Sequence, residues 1–177
     1  AKPTAVVKPG EFVFAAAHLD HSHINGMCSS LIEAGGTLKW VHEPDAALLA
    51  DFQKRFPHAK AARSLDEILA DREVKLVAAA AVPNVRGPIG CRVMDAGKDY
   101  FTDKTPFTTA AQLAQAKQVV ARTGRKYMVY YSERLTSEAG MFTTDLLRDG
   151  AIGRVVSVTG LGPHRLGLHP RPSWFYE

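Results

Sequence analysis

The residues best able to carry protons or bind ions follow the first apolar segment of the chain: His18, Asp20, His21 and His23. Two imidazoles in a His-x-His pattern directly after a strand can hold a zinc ion, as in some metal-dependent hydrolases. The same side chains can instead contact phosphate groups, or only form hydrogen bonds within their loop. Because no other cluster of metal-ligating residues lies at a usable spacing in the sequence, we predict that this loop binds no metal.

This histidine loop (residues 18–23) stands where a dinucleotide-binding fold has its glycine-rich turn. That turn reads Gly-x-Gly-x-x-Gly, but here His18, Asp20 and His23 occupy the three glycine positions. A side chain forced to a positive φ angle costs about 1–2 kcal/mol and directs a Cβ toward the pyrophosphate. The amides at the start of the following helix can still receive a phosphate without glycines. The motif alone leaves open both a dinucleotide site and a cofactor-free or regulatory binding module.

Glu43 and Lys104 each follow another predicted strand. Glu43 comes 20 residues after His23, where an acidic residue binds the ribose hydroxyls of NAD and repels the 2′-phosphate of NADP. Lys104 follows a buried strand, where an amine is placed to exchange a proton with a substrate hydroxyl. The alternative for Glu43 is a solvated carboxylate at a helix N-terminus, and for the lysine it is an ion pair with Asp99 or Asp103.

An alternation of strands and helices must position these residues. The sequence predicts short apolar strands over 11–17, 37–42, 59–62, 74–81, 100–102 and 126–131. Helices of about 10 to 15 residues between such strands are typical of a doubly wound parallel sheet, which binds ligands at the carboxyl ends of its strands. We therefore predict an α/β, Rossmann-like fold with a dinucleotide-binding domain over residues 1–131.

Residues 132–177 break this alternation. They are predicted to contain a helix ending at Asp149, a strand over 154–160 and a loop rich in Gly, Pro, His and Arg. This pattern indicates the beginning of a second, α+β domain that continues beyond the chain. Because the predicted strand has no later partner, we expect the chain alone to lack turnover and to associate with itself.

The composition is that of a globular protein and excludes several classes. The 177 residues are 46% hydrophobic, and 22 Lys and Arg against 18 Asp and Glu give a net charge of +4. This charge is too small and too evenly spread for a nucleic-acid-binding surface. The longest apolar run, Leu76–Val82, is too short to span a membrane. Cys28 and Cys91 are expected to be buried reduced thiols, which suits a cytoplasmic protein.

The order of several short motifs resembles the glucose-fructose oxidoreductase, inositol dehydrogenase and rhizopine-catabolism family. The resemblance spans about residues 11–177, and its motifs are Leu19–His21, Val41–Asp45, Ala81–Asn84, Tyr100–Pro106 and Tyr130–Arg134. It implies an NAD(P)-dependent dehydrogenase that moves a hydride between nicotinamide and a sugar, polyol or related hydroxyl compound. With Glu43 at the second strand, NAD is expected rather than NADP.

The resemblance also implies roles for single residues. Pro83 and Asn84 match a Pro-Asn pair that lies beside the cofactor in the family. The family's Glu-Lys-Pro signature carries a lysine that orients the substrate and assists proton transfer; Lys104 is its counterpart, with Asp103 in place of Glu. We assign to the cofactor site, besides these four residues, His18, Asp20, His21, His23, Glu43 and Arg134.

The last segment of the chain resembles the family's loop that reaches toward the substrate. Its candidate substrate-binding residues are His164, Arg165, Arg171 and Trp174. In the family a large open antiparallel sheet follows, with a catalytic Asp-x-x-x-His motif that this chain does not contain. The resemblance therefore implies a homo-oligomer formed through that sheet.

Overall fold

The computed structural model describes residues 4–162 and 171–176. The chain divides into two compact units, Ala1–Tyr130 and Tyr131–Glu177. Two of the predicted substrate-binding residues, His164 and Arg165, lie outside the described residues. Among the helices that are described, none has both the length and the apolar character that crossing a membrane requires.

The first unit is built on a parallel sheet of six strands in the order β3-β2-β1-β4-β5-β6. The strands are β1 (Val13–Ala17), β2 (Thr37–His42), β3 (Lys60–Ala61), β4 (Val74–Ala79), β5 (Asp99–Asp103) and β6 (Tyr127–Tyr130). This is the strand order of a doubly wound α/β fold, in which the order of strand addition reverses between β1 and β4 while all strands stay parallel. The predicted fold class is confirmed.

Helices connect the strands, and polar side chains cap three of their N-termini. The helices are α1 (His23–Glu33), α2 (Ala46–Arg55), α3 (Leu65–Ala70), α4 (Pro83–Asp95) and α5 (Ala110–Thr123). Asp45, Ser64 and Thr109 accept hydrogen bonds from amides in the first turns of α2, α3 and α5. Such caps satisfy amides that have no partner within the helix and fix where each helix begins.

The central strands are buried on both faces, so the sheet has an apolar core on each side. Along β1, Ala15 and Ala17 belong to one cluster, and Phe14 and Ala16 to the other. This alternation follows from the opposite directions of successive side chains in a strand. The two free cysteines, Cys28 and Cys91, are buried, as predicted.

The regular structure described in the second unit is helical, and residues 149–162 form turns and irregular chain. It contains α6 (Ser132–Thr136), α7 (Glu138–Arg148) and a 3₁₀ turn at Ser173–Tyr176. The predicted strand over 154–160 is wrong: these residues form no strand, and Val156 and Val158 are 83% and 84% exposed. Their apolar pattern favours an extended strand, but a strand also needs a neighbour for its backbone hydrogen bonds. No other described segment pairs with them.

Gly90 lets α4 approach the sheet closely, so a substitution at this position tests the packing of α4. A methyl group at Gly90 would lie 2.5 Å from ring carbons of Tyr100 and Tyr127. Overpacking costs about 1–3 kcal/mol, more than the roughly 0.5–1 kcal/mol that alanine gains in a helix. We expect Gly90→Ala to lower the free energy of unfolding by about 1–2 kcal/mol in urea denaturation followed by circular dichroism.

Gly140 in α7 offers a matched control, because a methyl group there would meet the Ser137 side chain at an ordinary distance of 3.5 Å. The Gly140→Ala variant should lose no stability. If Gly90→Ala were as stable as the unchanged protein, α4 would not pack against the sheet as described.

Candidate functional site

The histidine loop is tied to the two strands on either side of β1. The amide of His18 donates to the carbonyl of His42 at 3.1 Å, and the amide of Ala80 donates to the carbonyl of His18 at 3.0 Å. The amide of His21 donates to the carbonyl of Ala80, also at 3.0 Å. The loop therefore lies at the carboxyl ends of β1 and β4, where the sheet reverses its chain order and forms a crevice.

His18 adopts the backbone conformation that a glycine would adopt with less strain. Its φ angle is 54°, in the left-handed region. Asp20 and His23, at the other two glycine positions, have no positive φ. Such strain persists only where the surrounding structure holds it, and here the hydrogen bonds on both sides of His18 do so.

Glu43 holds the same loop from the end of β2. One carboxylate oxygen accepts from the amide of Leu19 at 2.7 Å, and the other accepts from the amide of Asp45 at 2.9 Å. Each carboxylate oxygen has two lone pairs, so both can also accept from a ribose hydroxyl. Desolvation, and then the charge of Glu43, raise the pKa of the nearby Asp20.

His21 caps the first amide of α1 and is neutral near neutral pH. Its Nδ1 accepts from the amide of His23 at 3.1 Å, which puts the proton of the neutral ring on Nε2. Burial, followed by the proximity of His23, lowers the pKa of His21 from 6.5 to about 4. Its Nδ1 also lies 3.4 Å from a carboxylate oxygen of Asp103. Both atoms are acceptors when the ring is neutral, so the two side chains then form no ion pair.

Asp103, at the end of β5, is the acceptor on which the site converges, and it is 1% exposed. One oxygen lies 2.9 Å from Nδ1 of His23 and accepts from the amide of Lys104 at 2.8 Å. The other accepts from Nη2 of Arg86 at 3.3 Å. Because a carboxylate can only accept, the proton of the neutral His23 ring lies on Nδ1, and Nε2 is the basic nitrogen.

Arg86 was not identified from the sequence, although it is 1% exposed and lies in the first turn of α4. Besides Asp103, its guanidinium donates to the carbonyls of Ala81 at 2.6 Å and Thr105 at 3.2 Å. Burial lowers the pKa of Arg86 and Asp103 raises it, and the guanidinium stays charged. No sequence signal separates Arg86 from an ordinary solvated arginine near a helix start.

His21, His23 and Asp103 offer ligating atoms that all lie within 4.8 Å of one another. The sequence showed no third ligand beside the two histidines, and the fold supplies one from β5. The contacts of this cluster, however, are those of a hydrogen-bond network. Nδ1 of His21 holds an amide proton, and the Arg86 cation already lies against the Asp103 carboxylate. A metal ion bound through these two atoms would compete with both contacts, and the absence of a metal stays a prediction.

Lys104 and the Pro83–Asn84 pair also lie at this edge of the sheet. Pro83 is the first residue of α4, where its fixed φ suits a helix start, and Asn84 follows it. Lys104 follows the last residue of β5 and is partly buried. The two acidic residues considered as ion-pair partners of Lys104 make other contacts. Asp103 pairs with Arg86, and the Asp99 side chain accepts from a backbone amide.

The other predicted contacts belong to the second unit. Arg134, in α6, donates to the hydroxyl of Thr144 at 3.4 Å. The guanidinium of Arg171 lies 4.8 Å from the ring centre of Phe175, and the Trp174 ring lies 4.4 Å from the same ring. The roles of Arg134, Arg171 and Trp174 in binding remain predictions.

Comparison with known proteins finds oxidoreductases. A candidate oxidoreductase of solved structure from Erwinia carotovora atroseptica is 42% identical, with a TM-score of 0.88 over 94% of this chain. Levoglucosan dehydrogenase, solved with NADH and levoglucosan, is 19% identical, with a TM-score of 0.69 over 81% of this chain. At that identity the likeness shows the shared fold. An uncharacterized oxidoreductase of Schizosaccharomyces pombe is 29% identical over 101 residues, 57% of this chain.

The matches cover this chain more fully than they cover the other proteins. The chain spans 50% of the Erwinia protein and 40% of levoglucosan dehydrogenase. The aligned residues make up 27% of the Schizosaccharomyces pombe protein. No protein-family model matches the sequence.

The lowered pKa of His21 predicts how stability depends on pH. Between about 6.5 and 4 the unfolded chain binds a proton at His21 that the folded protein excludes, so stability falls as the pH falls through this range. Going from pH 7 to pH 5 should cost about 2 kcal/mol through this group alone. The loss, measured by urea unfolding, should be smaller by that amount in His21→Gln.

The exposed His58 provides the control, because its side chain lies at the surface and outside the histidine loop. His58→Gln should show the same loss between pH 7 and pH 5 as the unchanged protein. A pH dependence that His21→Gln leaves unaltered would show that His21 is protonated in the folded protein at pH 5.

Proposed function

We propose that the protein is an NAD-dependent oxidoreductase acting on a sugar, polyol or related hydroxyl compound. The observation that carries this proposal is that Glu43, Asn84 and Lys104 follow β2, β4 and β5 along one edge of a doubly wound sheet. Doubly wound folds bind dinucleotides at this edge. The likeness to the Erwinia protein, and to levoglucosan dehydrogenase with its NADH, supports the proposal.

The residues at the crevice would contact a dinucleotide mainly through side chains, whereas a glycine-rich turn contacts it through backbone amides. Glu43 would accept from the hydroxyls of the adenosine ribose, and Asn84 would hydrogen-bond the ribose or ring at the nicotinamide end. The pyrophosphate would lie at the start of α1, against the imidazoles of His18, His21 and His23. The positive end of the α1 dipole favours an anion there.

The proposed chemistry divides between the cofactor and Lys104. When bound, the nicotinamide ring would accept a hydride from the substrate carbon. Lys104 would hydrogen-bond the substrate hydroxyl and carry its proton as the carbon is oxidised, or return it in the reverse direction. Holding the amine at the hydroxyl oxygen is the contribution of this chain, because proton transfer requires hydrogen-bond distance.

The substrate contacts are proposed for the second unit. Arg171 and Trp174, with His164 and Arg165, would bind hydroxyl or carboxylate groups of the substrate, and Arg134 would contact the cofactor. For the whole protein we propose a homo-oligomer.

A cofactor-free binding module of the same fold is the second candidate. The observation that favours it is that two amides of the loop already donate hydrogen bonds to side chains. The amide of His23 donates to His21, and the amide of Leu19 donates to Glu43. In a glycine-rich turn such amides face the pyrophosphate. Calorimetric titration of the protein with NAD and NADP separates the two candidates, because the module would bind neither.

Glu43 should make the site prefer NAD to NADP. Its carboxylate would accept ribose hydroxyl protons and repel a 2′-phosphate. We expect NAD to bind at least tenfold more tightly than NADP by calorimetry, and Glu43→Gln to reduce this preference. The amide oxygen of glutamine can still accept from Leu19, so this variant changes the charge more than the loop.

Asp51→Gln, at an exposed carboxylate on α2, is the control and should keep the preference. If the unchanged protein bound NADP as tightly as NAD or more tightly, Glu43 would not contact the ribose of the cofactor.

Lys104→Met should lower turnover by roughly 100-fold or more and leave the Kd for NAD within about threefold, because the amine would serve mainly the substrate hydroxyl and add little to cofactor binding. The measurement is NAD reduction by the whole protein with a panel of sugars and polyols. Lys117→Met, at an exposed lysine of α5, should keep full turnover. Turnover of Lys104→Met equal to that of the unchanged enzyme would refute this role of Lys104.

A further inference from the structure

The turn that carries Lys104 is fixed at the residue before it and at the residue after it, and one side chain makes both contacts. Nη2 of Arg86 donates to the side chain of Asp103, and Nη1 donates to the backbone carbonyl of Thr105. The third donor, Nε, binds the carbonyl of Ala81 at 2.6 Å, which anchors the guanidinium to the chain just beyond β4.

We infer that Arg86 is a positioning residue: it fixes the turn so that Lys104 is held toward the crevice at the end of β4. The catalytic role that this inference gives to Lys104 rests on the proposed function. The position that it gives to the Lys104 side chain does not. Arg86 is 1% exposed and lies beneath the turn, so it acts through Asp103 and Thr105.

The geometry of the guanidinium explains why an arginine is needed here. Its donors lie in one rigid plane, so contacts with two acceptors on the turn and one just beyond β4 fix the relative positions of these two segments. A lysine at position 86 would keep a positive charge near Asp103. It would present a single nitrogen on a flexible chain and could not hold all three acceptors in one plane.

The same contact links the turn to the histidine loop. Asp103 accepts from Arg86 with one oxygen and faces Nδ1 of His23 with the other. Fixing the carboxylate therefore fixes the ring of His23 at the start of α1 and the backbone of Lys104 on the far side of β4. Arg86 sets the distance between the proposed phosphate contact and the proposed proton carrier.

The test compares Arg86→Lys with Arg122→Lys, a control at an exposed arginine that pairs with Asp95. The protein is acetylated with a limiting amount of an amine reagent, and peptide mass spectrometry gives the rate at Lys104 relative to the exposed Lys117. In Arg86→Lys, release of the turn should raise this ratio at least fivefold. In Arg122→Lys it should stay within twofold of the unchanged protein.

A purely structural role predicts a different result. Loss of overall stability would change the acetylation rates of many lysines or of none, whereas the positioning role predicts a change at Lys104 alone. In the active whole protein, Arg86→Lys should lower kcat at least tenfold and leave KM for NAD within threefold. A ratio for Lys104 within twofold of the unchanged protein, or an unchanged kcat, would overturn the inference.

A measurement on the unchanged protein keeps the inference testable if Arg86→Lys does not fold. A guanidinium held by three acceptors cannot rotate freely, so the Nη protons of Arg86 should give separate NMR signals, unlike those of the exposed Arg122. A single averaged signal for Arg86 would overturn the inference. Because neither acetylation nor NMR needs a cofactor, failure to bind NAD would count against the proposed function alone.

Discussion

The candidate site depends on one buried ion pair. Arg86 and Asp103 are each 1% exposed, and neither charge is tolerable there without the other, because removing one leaves an uncompensated charge away from water. The pair also fixes the tautomer of a neighbour, because Asp103 keeps the proton of the neutral His23 ring on Nδ1. The lowered pKa of His21 comes first from burial and then from His23; Asp103 opposes this shift and Arg86 adds to it.

The parallel sheet brings together residues that are far apart in the sequence. His23 and Asp103 are 80 residues apart and lie on opposite sides of β4, yet their side chains are in hydrogen-bond contact. The run Ala79–Ala81 between them is fully buried, and its small side chains let the elements on both sides approach. The carbonyls of Ala80 and Ala81 then accept from His21 and Arg86. Larger residues in this run would separate the two halves of the site.

Local rules explain how much the sequence could predict. The six strands of the sheet depend on nearby residues, and their prediction was confirmed. The strand over 154–160 failed because pairing depends on a partner elsewhere. Arg86 was missed because a charged residue near a helix start is usually solvated, and only the tertiary fold shows that α4 begins against the end of β5.

The loop without glycines changes which atoms face the crevice. In a glycine-rich turn, backbone amides carry fixed partial positive charges toward a phosphate. Here the side chains of His21 and Glu43 bind two of those amides, so imidazoles and a carboxylate form much of the surface. With His21 neutral and Glu43 acidic, this surface attracts a pyrophosphate less than free amides do. A dinucleotide at this site must therefore draw more of its binding energy from its two nucleoside ends, where Glu43 and Asn84 follow their strands.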